Sequence, residues 1–247
     1  MSPESKVPAV TLIFWVLKIL ATTLGETAGD TLSMTLALGY LAATGIFAAI
    51  FIAAVAGQIA ARRFHPWVYW FTIIATTTVG TTLADFATRS LGIGYAGGSA
   101  LLLVLLLGSL AVWHRATGTV SIESVRTPRE ETFYWVTIMF SQTLGTALGD
   151  WTADTAGFGY SGAAVVFGGL LLLIAAAYFR TSISRTALFW AAFVLTRPLG
   201  AVLGDLLDKP VASGGFAFSR PLASAVLLTA MVACLVLFRQ RAAGRAH

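Results

Sequence analysis

The chain has 247 residues, 57% hydrophobic and 11% charged, with a mean hydropathy of +0.82. A soluble domain carries about 25% charged residues, so this composition argues against a soluble bundle and for a polytopic membrane protein. The net charge of +5 is not a nucleic-acid footprint, because the basic residues lie in the connections between apolar runs, and the single Cys234 excludes an internal disulfide or thiolate metal cluster.

In chain order, the first apolar run, 11–31, opens with Phe14–Trp15 and reaches Asp30. Its first half has the length of a signal peptide, but it keeps register with three later segments and is expected to be retained. Run 39–61 follows Gly39. Run 66–86 carries Tyr69–Trp70 and Asp85, and run 94–114 follows Gly94. A polar stretch, 117–131, with Pro128 and five charged residues, reads as a cytoplasmic linker. Run 132–151 then carries Tyr134–Trp135 and Asp150, and run 159–180 follows Gly159. The last two runs are 186–206, with Phe189–Trp190 and Asp205, and 221–239. Each is about 20 residues, enough to cross about 30 Å of hydrocarbon as a helix. The fold expected is an all-α integral membrane protein with eight transmembrane helices.

The runs repeat. Ten residues after each Trp stands Gly25, Gly80, Gly145 or Gly200, and fifteen after it Asp30, Asp85, Asp150 or Asp205. Gly39, Gly94, Gly159 and Gly214 follow nine residues later. The Trp residues are separated by 55, 65 and 55 residues, which suggests two rounds of duplication. The expected organisation is an N-terminal half over 1–118, a linker over 119–131 and a C-terminal half over 132–247, the halves pseudo-symmetric. An even number of spans per repeat makes the four repeats parallel and sets the aspartates at one depth. At 1.5 Å per residue each lies about 22 Å from its Trp, and the aromatic–Trp pairs read as interface anchors. The fourth repeat departs, with Gly215 where the others have Tyr40, Tyr95 and Tyr160.

Four tandem two-helix repeats with a recurrent Trp resemble a family of bacterial polytopic membrane proteins built on a repeat of unknown function. The resemblance covers nearly the whole chain and implies eight helices in the bacterial cytoplasmic membrane; it implies no activity. Eleven Lys and Arg (Lys6, Arg62, Arg63, Arg115, Arg126, Arg129, Arg180, Arg185, Arg239, Arg241, Arg245) fall before the first helix or after even-numbered ones. Only Arg89, Lys209 and Arg220 fall in the other connections. This bias sets both termini in the cytoplasm.

Stepping back in fours from each aspartate gives polar stripes: Glu26, Thr22 and Lys18; Thr81 and Thr77; Thr146 and Gln142; Ala201 and Arg197. Lipid cannot satisfy these groups, so the stripes should face one another and line a polar core. Small-residue pairs such as Gly25/Gly29 and Gly145/Gly149 fit close helix packing. Converging carboxylates raise one another's pKa unless a cation sits among them, and acidic rings select cations. Asp30, Asp85, Asp150, Asp205 and Glu26 are therefore the candidate ion site, with Asp154 secondary. A competing reading makes each aspartate a cap on the following turn.

The candidate ligands are oxygens: the carboxylates with Thr22, Thr23, Thr77, Thr78, Thr81, Thr143 and Gln142. Such a set suits Mg²⁺, Ca²⁺ or Mn²⁺ better than Cu⁺ or Zn²⁺. Met34 would hint at the softer Mn²⁺, against the simpler reading of a lipid- or core-facing Met. Lys18 and Arg197 either snorkel or form structural pairs, Lys18 with Glu26. Alternatively, Lys18 couples transport to protons, or the two hold a small organic anion or zwitterion. Arg89, Asp154, Asp208 and Lys209 read as solvated or paired loop residues. No HExxH, GxSxG or P-loop is present, and four equivalent aspartates fit an aspartyl hydrolase poorly. The function expected is therefore non-enzymatic: transport of a small cation as substrate by a lipid-embedded protein with no nucleic-acid partner. A membrane scaffold or partner subunit is the alternative from another class.

Overall fold

The computed structural model describes residues 4–244; Arg245, counted above on the cytoplasmic side, lies outside them. Eight α-helices account for most of this span: α1 (Leu12–Asp30), α2 (Tyr40–Ala60), α3 (Pro66–Asp85), α4 (Gly94–Thr117), α5 (Pro128–Asp150), α6 (Gly159–Arg180), α7 (Arg185–Asp208) and α8 (Arg220–Leu237). Among the described residues the only β pairing is an isolated antiparallel bridge between Pro8 and Ala242.

Local chemistry sets the helix ends. Thr11 and Ser184 accept bonds from the first turns of α1 and α7. Pro66 and Pro221 stand at helix starts, where a missing N–H costs nothing. α5 begins a turn earlier than its apolar run, at Pro128 rather than 132, because Thr127 and Glu130 form a capping box. The polar linker is correspondingly shorter and includes a 3₁₀ turn at Ile122–Ser124. The glycines that open the second helices have positive φ (Gly39 76°, Gly94 73°, Gly159 64°), a backbone region that suits only glycine.

The first helices extend past their aspartates. Single π-helical turns, Thr31–Thr35, Phe86–Ser90 and Trp151–Thr155, continue α1, α3 and α5. The fourth repeat lacks this turn, and α7 runs on as α-helix to Asp208. Gly215 explains the departure there. A Cβ on it would strike the Lys209 backbone, so the tyrosine of the other repeats has no place.

The odd-numbered helices form a closed inner ring: α1 packs on α3, α3 on α5, α5 on α7, and α7 on α1. The even-numbered helices cover it from outside. Each second helix lies on the first helix of the following repeat, α2 on α3, α4 on α5, α6 on α7, and α8 returns to α1. The outer helices are apolar all round and bury only 11–17% of their most apolar windows. Leu, Ile, Val and Phe side chains cover their outer faces.

By length and composition six helices are apolar enough to cross a membrane, all but α3 and α5. Those two are enclosed by neighbours, so polar residues such as Thr76, Thr77, Gln142 and Thr146 are accommodated without facing the outside.

One end of the inner ring is filled with aromatic rings. Phe14, Tyr69, Tyr134 and Phe189 pack with Trp70, Trp135, Trp190, Trp113 and Phe193 in one buried cluster. The recurrent Trp residues are therefore not the outward anchors expected. Trp70, Trp135 and Trp190 are 1%, 2% and 5% exposed, and Trp15 is half-buried against Phe14 and Phe189. The Tyr69 and Tyr134 hydroxyls share a 2.6 Å hydrogen bond inside the cluster.

The chain ends and the linker strap this end. Lys6 N–H donates to Val125 O, Ala243 N–H to Val7 O, and Trp190 Nε1–H to Val120 O. Lys6 also pairs with the buried Glu131 at 2.6 Å.

Candidate functional site

The repeat register translates into stacked layers along the inner ring, one residue from each odd helix per layer. Next to the aromatic end lie Lys18, Ile73, Ile138 and Phe193. Then come Thr22, Thr77, Gln142 and Arg197, then Glu26, Thr81, Thr146 and Ala201, and last Asp30, Asp85, Asp150 and Asp205. All sixteen are buried. Glycine makes the spacing. A Cβ on Gly25, Gly80, Gly145 or Gly200 would collide with Thr77, Gln142, Arg197 or Thr22 of the next repeat, so the same contact recurs four times and closes the ring. Thr77 donates across it to Ala21 O at 3.1 Å, and Thr22 to Thr196 O at 3.2 Å.

Arg197 fills the middle of the ring from α7. Its Nη2 donates to Glu26 Oε2 of α1 at 2.8 Å and to Thr81 Oγ1 of α3 at 2.6 Å, and it also bonds the Thr146 hydroxyl of α5. One guanidinium nitrogen thus ties all four inner helices together. The expected pairing of Lys18 with Glu26 does not form. Glu26 belongs to Arg197, and the Lys18 ammonium lies 4.2 Å from the centre of the Phe193 ring. Neither cation snorkels, since both side chains are fully buried.

The aspartates do not cap turns: Asp30, Asp85 and Asp150 make no side-chain cap bond where the π turns begin. Asp30, Asp150 and Asp205 converge instead. Carboxylate oxygens of Glu26, Asp150 and Asp205 lie within 4.8 Å of one another, as do those of Asp30, Asp205 and Asp208, while Asp85 belongs to neither group of close oxygens.

Two cations sit among them: of the two states expected for Arg89 and Lys209, solvated or paired, the structure has them paired. Arg89 bridges Asp85 (3.0 Å) and Asp150 (3.1 Å), and Lys209 bridges Asp205 (2.9 Å) and Asp30 (3.1 Å). Asp208 is paired as well: Arg220 binds it at 3.0 Å and approaches Asp30 at 3.5 Å. Burial works against the charge of Lys209, but the Asp205 and Asp30 carboxylates outweigh it and hold its pKa above the usual lysine value.

Sequence reading missed these partners, although one signal was present. Arg89 and Lys209 stand four residues after Asp85 and Asp205, the spacing of a helical ion pair. Asp154 and Met34 occupy the corresponding positions of the other two repeats and are exposed, so neither joins the ring. Thr23, Thr78 and Thr143 are buried but bond carbonyls of their own helices.

A family model described as Repeat of Unknown Function (DUF347) matches residues 13–64, 68–119, 133–184 and 188–242. The chain belongs to this family. Each DUF347 unit begins two residues before its Trp and holds one inner helix with the outer helix that covers the next unit's. The fourth unit runs longer and includes the loop between Lys209 and Arg220, the first residue of α8. No curated protein and no solved structure matches the chain.

Proposed function

We propose that this DUF347 protein is an eight-span transporter of a small cation, a hard divalent ion of the Mn²⁺ or Mg²⁺ type, in the bacterial cytoplasmic membrane. The observation that carries the reading is the convergence of buried carboxylates at one end of the inner ring: Glu26 with Asp150 and Asp205, and Asp30 with Asp205 and Asp208, with Asp85 joined to Asp150 through Arg89. Oxygen ligands in carboxylate-rich clusters favour hard divalent ions. Eight spans follow if α3 and α5 cross inside the ring with the six apolar helices around them. The charge bias supports cytoplasmic termini. The three cations outside it, Arg89, Lys209 and Arg220, are all engaged by buried carboxylates.

The tethered cations define what an ion must do. Arg89 and Lys209 each occupy a pair of aspartates, so a divalent ion enters by displacing one or both. Exchange of protons for the ion then falls to the ring carboxylates, because Lys18 touches none of them. Alternating access requires the aromatic end to open, by movement of one half of the ring against the other.

The test is Mn²⁺ flux into proteoliposomes holding the full chain, compared with Asp85→Asn and Asp150→Asn. The reading expects at least a tenfold loss of flux in variants that still melt cooperatively. No flux in the wild type, or flux unchanged by both substitutions, would leave a scaffold or partner subunit as the better account.

A further inference from the structure

The middle of the inner ring holds a second set of polar groups, separate from the acidic end. Lys18 Nζ, both polar atoms of the Gln142 amide, and Nε and Nη1 of Arg197 are buried and meet no protein hydrogen-bond partner among the described residues. All three residues are 0% exposed. They come from α1, α5 and α7 in adjacent layers, and the Phe193 ring under the Lys18 ammonium lies one turn from Arg197 on α7. The hydrogen bonds of Arg197 all leave from Nη2, so the rest of its donor fork is not used by Glu26, Thr81 or Thr146.

The imbalance has a sign. Glu26 is the carboxylate of these layers and already belongs to Arg197, while Lys18 has no counter-charge. Buried donors without acceptors are costly, and an anion is the complement that satisfies Lys18 Nζ, Gln142 Nε2 and the free Arg197 nitrogens together, with the Gln142 carbonyl oxygen turned away from it. We propose that Lys18, Gln142 and Arg197 form a binding site for a small monovalent anion of halide or nitrate size.

Two features set that size and type. A Cβ on Gly80 would lie 2.9 Å from Gln142 Cβ, so the helices here stand too close for a bulky guest. Ile73, Ile138 and Phe193 complete the layer around Lys18 and are apolar. Such a floor favours a weakly hydrated anion over phosphate or sulfate. The site shares none of the ring aspartates and touches the acidic end only through the Arg197–Glu26 pair.

The experiment uses the full chain in detergent with a chelator present, so that divalent ions contribute nothing. Thermal stability is followed as sodium bromide replaces sodium gluconate at constant ionic strength, and ³⁵Cl NMR line broadening gives a second measure of halide binding. The expected result is a saturable rise in melting temperature and chloride broadening displaced by bromide. Both are lost in Lys18→Met and in Gln142→Glu, whose tethered carboxylate takes the anion's place, and both are kept in Asp150→Asn. Equal stability in bromide and gluconate with no chloride broadening would overturn the proposal. So would an undiminished halide effect in whichever of the two substituted proteins folds.

Discussion

Arg197 and Glu26 show how a single residue can organise this bundle. The guanidinium reaches three neighbouring helices, and its one carboxylate partner is buried with it. Removing one member of a buried ion pair leaves the other uncompensated, at a cost of about 3–5 kcal/mol. Glu26→Gln is therefore expected to lower unfolding free energy by about that amount. Replacing both, as Glu26→Gln with Arg197→Met, should recover a substantial part, which denaturation in mixed micelles would measure. At the acidic end the expectation has a different form. Arg89→Ala removes the cation shared by Asp85 and Asp150 and leaves two close carboxylates facing each other. The variant should melt lower in chelator than the wild type and gain more from added Mn²⁺. A variant equally stable with and without the ion would show that Arg89 has no part in holding the ring. The sequence named Glu26, Arg197 and the aspartates as candidates because polar residues recur every four positions in apolar helices. It could not say who pairs with whom, since Glu26 and Arg197 are 171 residues apart.

Helix-scale packing rests on the recurrent glycines. An alanine at Gly145 would drive its methyl into the stem of Arg197, and Pro198 stands close behind. Overpacking of this kind costs about 1–3 kcal/mol, and here it would also displace Arg197 from its partners. Gly145→Ala should lower the melting temperature clearly, whereas Gly108→Ala, on the outer helix α4 with open space at its Cβ, should not. The two-helix period, the helix order and these close approaches were legible, because a fixed register of Trp, Gly and Asp in apolar runs leaves few alternatives. The orientation of the Trp residues was not. A Trp at a helix end looks the same in sequence whether it faces an interface or a neighbouring helix, and only the ring around Trp70, Trp135 and Trp190 decides it. The early start of α5 was written in Thr127 and Glu130 but lies outside the apolar run that drew attention.

The whole molecule is a ring in which no repeat completes itself. Each outer helix covers the inner helix of the next unit, and α8 closes the circle on α1, where Ser224 bonds Thr27 at 2.8 Å. One end is sealed by aromatic rings and strapped by both chain ends, and the other gathers charge. In a membrane this polarity becomes sidedness. On a Cys234→Ser background, single cysteines placed at Arg63, Thr119 and Thr181 should label from the cytoplasmic side, and cysteines at Leu38, Leu91 and Ala156 from the opposite side. Labelling of both sets from one face would refute the eight-span topology. The functional account depends more narrowly on whether the acidic end takes up a mobile positive ion. Electron paramagnetic resonance of Mn²⁺ titrated into the purified full chain reads this directly. The account predicts saturable loss of the free-ion signal at one site per chain, abolished in Asp150→Asn combined with Asp205→Asn. A titration in which the free signal never falls, or falls equally in the doubly substituted chain, would contradict it.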